Sequence, residues 1–154
     1  MFKPSYFCSL IAVVFTLAST AAFALPSPAL YQLVNLTAGT IVNVTLNESI
    51  DAESISVGNS LDLMVRANVT VNGKVLIAAG ATATGWVKSV KKACGGKCAE
   101  ITITVENAMA VDGQMVNLRS IPHVVKAPCC DGTAKADIGT NLSARVLNDI
   151  KINA

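Results

Sequence analysis

Apolar and polar residues alternate at every second position in several short stretches of this 154-residue chain. The clearest stretch is residues 101–106, and residues 42–47, 61–66, 116–119 and 142–146 follow the same rule. Because successive side chains of a β-strand point to opposite faces, this period of two predicts strands with one buried and one solvent-facing side. No window of a dozen residues has the 3.6-residue periodicity of an amphipathic helix. The chain is therefore predicted to be all-β.

Turn signals separate these stretches. Asn72-Gly73 and Asp112-Gly113 each stand between strand-like segments, and both dipeptides favour two-residue hairpin turns. Asp131-Gly132 marks a third turn. About eight to ten short strands of this kind favour a small antiparallel β-barrel, with a β-sandwich as the alternative. Either architecture would remove most exposed strand edges.

The alternation also predicts which side chains fill the interior. The predicted core residues are Val42, Val44, Leu46, Leu61, Leu63, Val65, Leu76, Ile101, Ile103, Val105, Val116 and Leu118.

A glycine turn followed by an alternating strand recurs along the chain. Residues 57–71 align without gaps on residues 138–152, with Gly58 on Gly139, and Gly39 opens a similar stretch. Two interpretations stay open. The repeat reflects an internal duplication, or it reflects the composition that all-β chains share.

Residues 37–86 resemble a known pattern. It comprises Thr37-Ala38-Gly39-Thr40, the alternating residues up to Val69, the segment 72–77, and Ala79-Gly80-Ala81. The pattern is similar to small exported bacterial β-domains and to the periplasmic β-barrel of TrbI-like channel proteins of conjugation and type IV secretion systems. The resemblance implies a β-barrel in the bacterial envelope and brings no catalytic residues. Ala78 stands where that family usually has Pro, and a cleavable signal peptide is expected in place of the family's inner-membrane helix.

The N-terminus has the features of a secretory signal peptide. Lys3 precedes an apolar run at residues 10–18, and Ala22-Phe23-Ala24 matches an A-x-A cleavage site. We therefore predict a signal peptide at 1–24, an N-terminal lead at 25–36 and a single barrel domain at 37–154. The apolar run is shorter than the roughly 20 residues of a spanning helix, so no membrane span is expected after cleavage. The predicted location is periplasmic or secreted.

Charge and histidine content narrow the function. Twelve Lys and Arg against ten Asp and Glu give a net charge of +2, which argues against nucleic-acid binding because that needs a basic surface. His123 is the single histidine, so most His-based triads and multi-His metal sites are excluded. A small hydrolase using His123, Ser120 and Asp112 is the weakest alternative. No cofactor is predicted.

Four cysteines lie beyond the signal peptide: Cys94, Cys98, Cys129 and Cys130. An even number in an exported chain indicates disulfides. Because a bridge between adjacent cysteines is strained, we favour two bridges that tie the 94–98 loop to residues 129–130, without choosing between the two connectivities. The alternative is a thiol-based metal-binding or redox protein, although the spacing matches no standard zinc site and no metal site is predicted.

A possible partner-binding patch surrounds Trp86. Trp86 alternates with Thr84 and Lys88, so the three share the polar face of one strand, and Lys91 and Lys92 extend this basic surface. The alternative is that Trp86 is covered by a loop and the lysines are solvated. The predicted function is an exported, disulfide-stapled, non-enzymatic structural or binding module with an envelope or protein partner. The sequence does not indicate the oligomeric state.

Overall fold

A computed structural model describes residues 32–94, 97–127 and 132–154. These residues form thirteen strands and no helix, which confirms the all-β prediction. The count exceeds the expected eight to ten because several strands have only two to four residues. The strands are β1 (Leu33–Leu36), β2 (Ile41–Leu46), β3 (Ile50–Asp51), β4 (Ser60–Val65), β5 (Val69–Val71), β6 (Lys74–Ile77), β7 (Thr82–Lys91), β8 (Glu100–Met109), β9 (Met115–Ser120), β10 (His123–Lys126), β11 (Lys135–Ala136), β12 (Asn141–Val146) and β13 (Ile150–Asn153).

Six of these strands close into an antiparallel barrel. Their order is β8-β7-β4-β2-β12-β9, and β9 pairs again with β8. β9 completes the ring because it changes partner along its length. Its first half pairs with β8, from Met115 opposite Met109, and its second half pairs with β12, up to Ser120 opposite Ala144. The barrel prediction is confirmed in preference to the sandwich.

The barrel interior is filled by the residues that the alternation predicts. Exposed and buried positions alternate without exception in β4 and β12. All twelve predicted core residues are buried, and Val42, Val44, Ile101 and Ile103 have no exposed surface. Fully burying a side chain of this size contributes about 1.5–3 kcal/mol. This interior is therefore the main source of the barrel's stability.

One kind of glycine turn links strand ends across the barrel. Gly39 precedes β2, has a φ of +85°, and donates its N–H to the carbonyl of Val146 at the end of β12 (2.8 Å). Gly139 precedes β12, has a φ of +86°, and donates to Leu46 at the end of β2 (2.7 Å). This positive φ belongs to the third residue of a type II turn, a position that glycine adopts without strain. The turn before each strand is thus bonded to the last residue of the other strand, and the two arrangements are related by a pseudo-two-fold axis.

The same relation holds between β4 and β7. Gly58, before β4, donates to Val87, and Gly80, before β7, donates to Val65. The turn-then-strand repeat expected from the sequence is therefore present, and it occurs four times rather than three. In three of the four copies the acceptor is the last residue of the partner strand, whereas Gly58 bonds β7 at Val87, four residues before that strand ends at Lys91.

The two dipeptide turn signals differ in detail. Asn72 and Gly73 both have positive φ and join β5 to β6, as a type I′ turn requires. The turn between β8 and β9 is different, because only Gly113 has positive φ there and its N–H donates to Ala110 (3.0 Å). This loop is one residue longer than the predicted two-residue turn. The turn predicted at Asp131 lies partly outside the described residues.

Three short strand pairs lie beside the barrel, namely β1 with β13, β3 with β11, and β5 with β6. β1 falls within the predicted N-terminal lead, and its Leu36 is fully buried. The predicted signal peptide lies outside the described residues. In the described part of the chain, no helix has the length and hydrophobicity to cross a membrane.

Candidate ligand-binding groove

Two arginines lie side by side on the outer surface of β12 and β9. Arg145 is directly opposite Arg119 on one side and directly opposite Ile41 of β2 on the other. Because Leu142, Ala144 and Val146 point into the barrel, Ser143 and Arg145 must point outwards. The strand register therefore places two arginines that are far apart in the sequence side by side on the outer surface.

A groove of about 700 Å³ runs over this surface. Apolar side chains form much of its rim, since Ile121 is 84% exposed, Ile41 is 51% exposed, and Pro122 and Leu147 are also exposed. The volume lies within the range of about 300–1,000 Å³ that is usual for small-molecule sites. We call this site, lined by Ile41, Arg119, Ile121, Pro122, Arg145 and Leu147, the arginine groove.

The local sequence explains the shape of the groove. β9 ends at Ser120, whose hydroxyl accepts the backbone N–H of Val105 (2.7 Å). Pro122 follows and has no N–H for a strand ladder, so Ile121 and Pro122 separate β9 from β10. The exposed Ile121 side chain therefore stands at this break between two strands that both pair with β8.

The two arginines are not neutralised by the part of the protein that the structure describes. Neither guanidinium forms an ion pair with a described carboxylate, whereas Lys91, Lys92, Lys126 and Lys135 all do. Arg145 donates from Nη1 to the carbonyl of Gly39 (3.1 Å), which anchors its side chain at the groove. Like charges directly opposite each other on neighbouring strands destabilise a sheet. The pair is therefore not explained by folding stability.

Charge is distributed unevenly around the barrel. The chain has three arginines, and the third, Arg66, donates from Nη1 to the Asn141 side chain of β12 (3.2 Å). All three therefore lie on the side of the barrel formed by β2, β12 and β9. The outward positions of these strands carry no acidic residue: they are Ile41, Asn43, Thr45, Met115, Asn117, Arg119, Asn141, Ser143 and Arg145. This surface favours an anionic ligand.

The predicted partner patch lies on the other side of the barrel. Thr84, Trp86 and Lys88 point outwards from β7, as expected, and Trp86 is 38% exposed. Trp86 stands between Ser60 of β4 and Thr104 of β8. These neighbouring strands partly cover the Trp86 side chain. The Thr84 hydroxyl is bonded to the Asn107 side-chain oxygen (2.7 Å).

The two remaining lysines of that patch have carboxylate partners. Lys91 lies 3.2 Å from Glu100, and Lys92 lies 3.8 Å from Glu53. The patch therefore has less uncompensated charge than its sequence suggests. Sequence reasoning identified this patch and missed the arginine groove, because the groove depends on which strands pair across the barrel closure.

Two of the four predicted disulfide cysteines are described. Cys94 and Cys98 are both exposed, and Cys94 forms an isolated β-bridge with Lys97. Cys129 and Cys130 lie outside the described residues, and no disulfide joins two cysteines within the described part of the chain. The described residues also contain no group of three or more His, Cys, Asp or Glu side chains that could hold a metal ion.

The side chains of the hydrolase alternative have other partners. Ser120 accepts the Val105 N–H, and Asp112 accepts backbone N–H groups from Asn153 (2.9 Å) and Gln114 (3.0 Å). Partial burial raises the pKa of the Asp112 carboxyl group, but the hydrogen bonds together outweigh this effect, so the pKa is lowered. Among the described residues, no hydrogen bond links Asp112, Ser120 and His123.

Asp51 is the other carboxylate with a displaced pKa. Its pKa is lowered, first by the backbone N–H of Glu53 and then by the Thr133 hydroxyl, with a smaller contribution from Lys135. The bond from Glu53 lies within the turn after β3, and the contacts with Thr133 and Lys135 connect β3 to the segment around β11. Asp51 therefore has a structural role at the barrel end, away from the groove.

Comparison with family models and with curated proteins finds no match.

Proposed function

We propose that this chain is an exported, non-enzymatic binding module of the bacterial envelope, and that the arginine groove is its ligand site. One observation carries the binding part of the proposal. Arg119 and Arg145 are opposed on neighbouring strands, lack a described carboxylate partner, and lie beside exposed apolar side chains. An unneutralised cationic pair of this kind is retained at a cost in stability, which a ligand would explain.

The barrel is suited to hold such a site rigid. Both arginines are in strands of a closed ring, and sites built on strands are held more accurately than sites on loops. The described residues with displaced pKa values, Asp51 and Asp112, make structural hydrogen bonds rather than facing the groove. These observations favour binding over catalysis. The resemblance to TrbI-like barrels supports an envelope location.

Export and disulfides form the second part of the proposal. The N–H of Ala127, after β10, donates to the carbonyl of Ala99, before β8 (3.0 Å). Cys98 adjoins Ala99, and the segment with Cys129 and Cys130 begins after Ala127. This contact supports two bridges between the loops. Each bridge would close some 30 residues and contribute about 3–4 kcal/mol.

The test of export is an intact mass. The full chain is expressed in a Gram-negative host, and the periplasmic fraction is measured without reduction and then mapped by peptide digestion. The proposal predicts the mass of residues 25–154 less four hydrogens, with Cys94 and Cys98 linked to Cys129 and Cys130. Recovery of the full-length chain, with residues 1–24 still attached, from the cytoplasm would contradict export. Four free thiols with a stoichiometric metal ion would support the thiol-based alternative instead.

A further inference from the structure

We propose that the arginine groove binds the phosphate monoester headgroup of an acylated lipid. The phosphate would lie between Arg119 and Arg145, and the first part of the acyl chain would lie on the apolar rim. This inference rests on the proposed binding function and adds the chemical class of the ligand.

The charge of the groove matches a phosphate monoester better than a carboxylate. Two guanidinium groups carry two positive charges, and the outward positions of the three strands add no negative charge. A carboxylate carries one negative charge, whereas a phosphate monoester carries about −1.5 to −2 at pH 7. A phosphate monoester also presents three oxygens, so that each planar guanidinium can donate two parallel hydrogen bonds.

The rim of the groove favours a ligand with an aliphatic part. Ile41, Ile121 and Leu147 are large exposed apolar side chains that border the arginines. Apolar patches with a polar border mark binding or membrane-contact surfaces. A water-soluble sugar phosphate would neutralise the arginines and leave these side chains in water. An acylated phosphate would cover both parts of the site.

Nucleic acid is a poorer match for the same cations. Single-stranded nucleic acids are bound by stacking their bases on aromatic side chains. None of the residues lining the groove is aromatic, and Trp86 lies on a strand of the opposite wall. An acidic peptide remains an outcome that the experiment detects.

The experiment measures co-sedimentation of the mature protein with lipid vesicles. Phosphatidylcholine vesicles containing phosphatidic acid, a phosphate monoester, are compared with vesicles containing phosphatidylglycerol, a diester, at matched surface charge. Inorganic phosphate and a soluble acidic peptide serve as competitors. The double variant R119Q/R145Q removes the guanidinium pair, and R119K/R145K keeps the charge but removes the fork geometry. The control K97Q/K151Q removes two exposed lysines that do not line the groove.

We expect the protein to prefer phosphatidic acid over phosphatidylglycerol. R119Q/R145Q should weaken binding by about tenfold or more, because each lost bond is to a charged group. R119K/R145K should give an intermediate loss, and K97Q/K151Q should bind like the unchanged protein. Circular dichroism checks that every variant is folded.

Four results would overturn the inference. They are no binding to phosphatidic acid, equal binding to both lipids, equal losses in R119Q/R145Q and the lysine control, and competition by inorganic phosphate or the peptide at the concentration of the lipid. If the intact mass shows export and disulfides but the vesicles are not bound, the lipid assignment fails and the proposed module stands. If export fails, the proposed function fails whatever the vesicles show.

Discussion

Replacing Gly85 with alanine tests how tightly the barrel interior is closed. Gly85 lies in β7, faces the interior opposite Leu61, and sits at a register shift between β7 and β8. A Cβ atom there would lie 2.5 Å from the Thr104 carbonyl oxygen and 2.9 Å from Leu63 Cδ1. The nearer atom belongs to the backbone and cannot rotate away. Gly85→Ala therefore requires the β7–β8 ladder to shift.

Overpacking of this kind lowers the free energy of unfolding by about 1–3 kcal/mol. For a domain of this size, each kcal/mol corresponds to a fall in Tm of about 3–6 °C. The change is measured by urea unfolding, with the fluorescence of Trp86, the residue next to Gly85, as the signal. Gly85→Asn, a larger side chain, should be worse than Gly85→Ala. The steric reasoning is refuted if Gly85→Ala unfolds within about 0.5 kcal/mol of the unchanged protein, the range usual for harmless surface substitutions, or if the asparagine variant is the more stable one.

Three further predictions concern the turns, an acidic side chain and the arginine pair. Gly39→Ala and Gly139→Ala should each lower the free energy of unfolding by about 1–2 kcal/mol. The cost comes from the positive φ alone, because an added Cβ meets no atom within 4 Å at either position. Asparagine tolerates this conformation and should cost less, and the reverse order in urea unfolding would refute the turn assignment. The lowered pKa of Asp51 means that its contribution to stability is complete above the ordinary value of 3.8 and is lost as pH falls through the folded-state pKa. Asp51→Asn should therefore unfold at lower urea than the unchanged protein at pH 7, and this deficit should shrink as the pH is lowered below 3.8; a deficit that stays constant over this range would contradict the assignment. Arg119→Gln should raise stability by about a few tenths of a kcal/mol at low salt by relieving the repulsion from Arg145, and this gain should shrink at high salt; a loss of stability in thermal unfolding would show that Arg119 has a structural partner.

The fold was accessible from sequence because it depends on a local signal. Alternation in residues 61–66 and 101–106 reflects burial of one face, and such burial does not depend on which strands are neighbours. The turn at Asn72-Gly73 was accessible for the same reason, since two consecutive positive φ values require those residue types. The three-residue loop at Gly113 could not be predicted from the sequence, because Asp-Gly occurs in hairpin loops of several lengths.

The candidate site was not accessible because it is a property of strand register. Arg119 and Arg145 are each ordinary outward residues of alternating strands, and they become neighbours only where β9 leaves β8 and pairs with β12. One signal was present in the sequence. Arg119 and Arg145 lie in strands that contain no acidic residue, and Arg66 directly follows β4, in which Asp62 is the one acidic residue. Without the strand order, that signal does not place them on one surface.

The most direct test of ligand binding in the arginine groove is an NMR titration of the isotope-labelled mature protein with a soluble short-chain phosphatidic acid. If the arginine groove binds this lipid, backbone chemical shifts change around Ile41, Arg119, Ile121 and Arg145, and those of strand β7 stay unchanged. Changes centred on Thr84, Trp86 and Lys88 would contradict it and would place the binding surface on the patch that the sequence alone suggested.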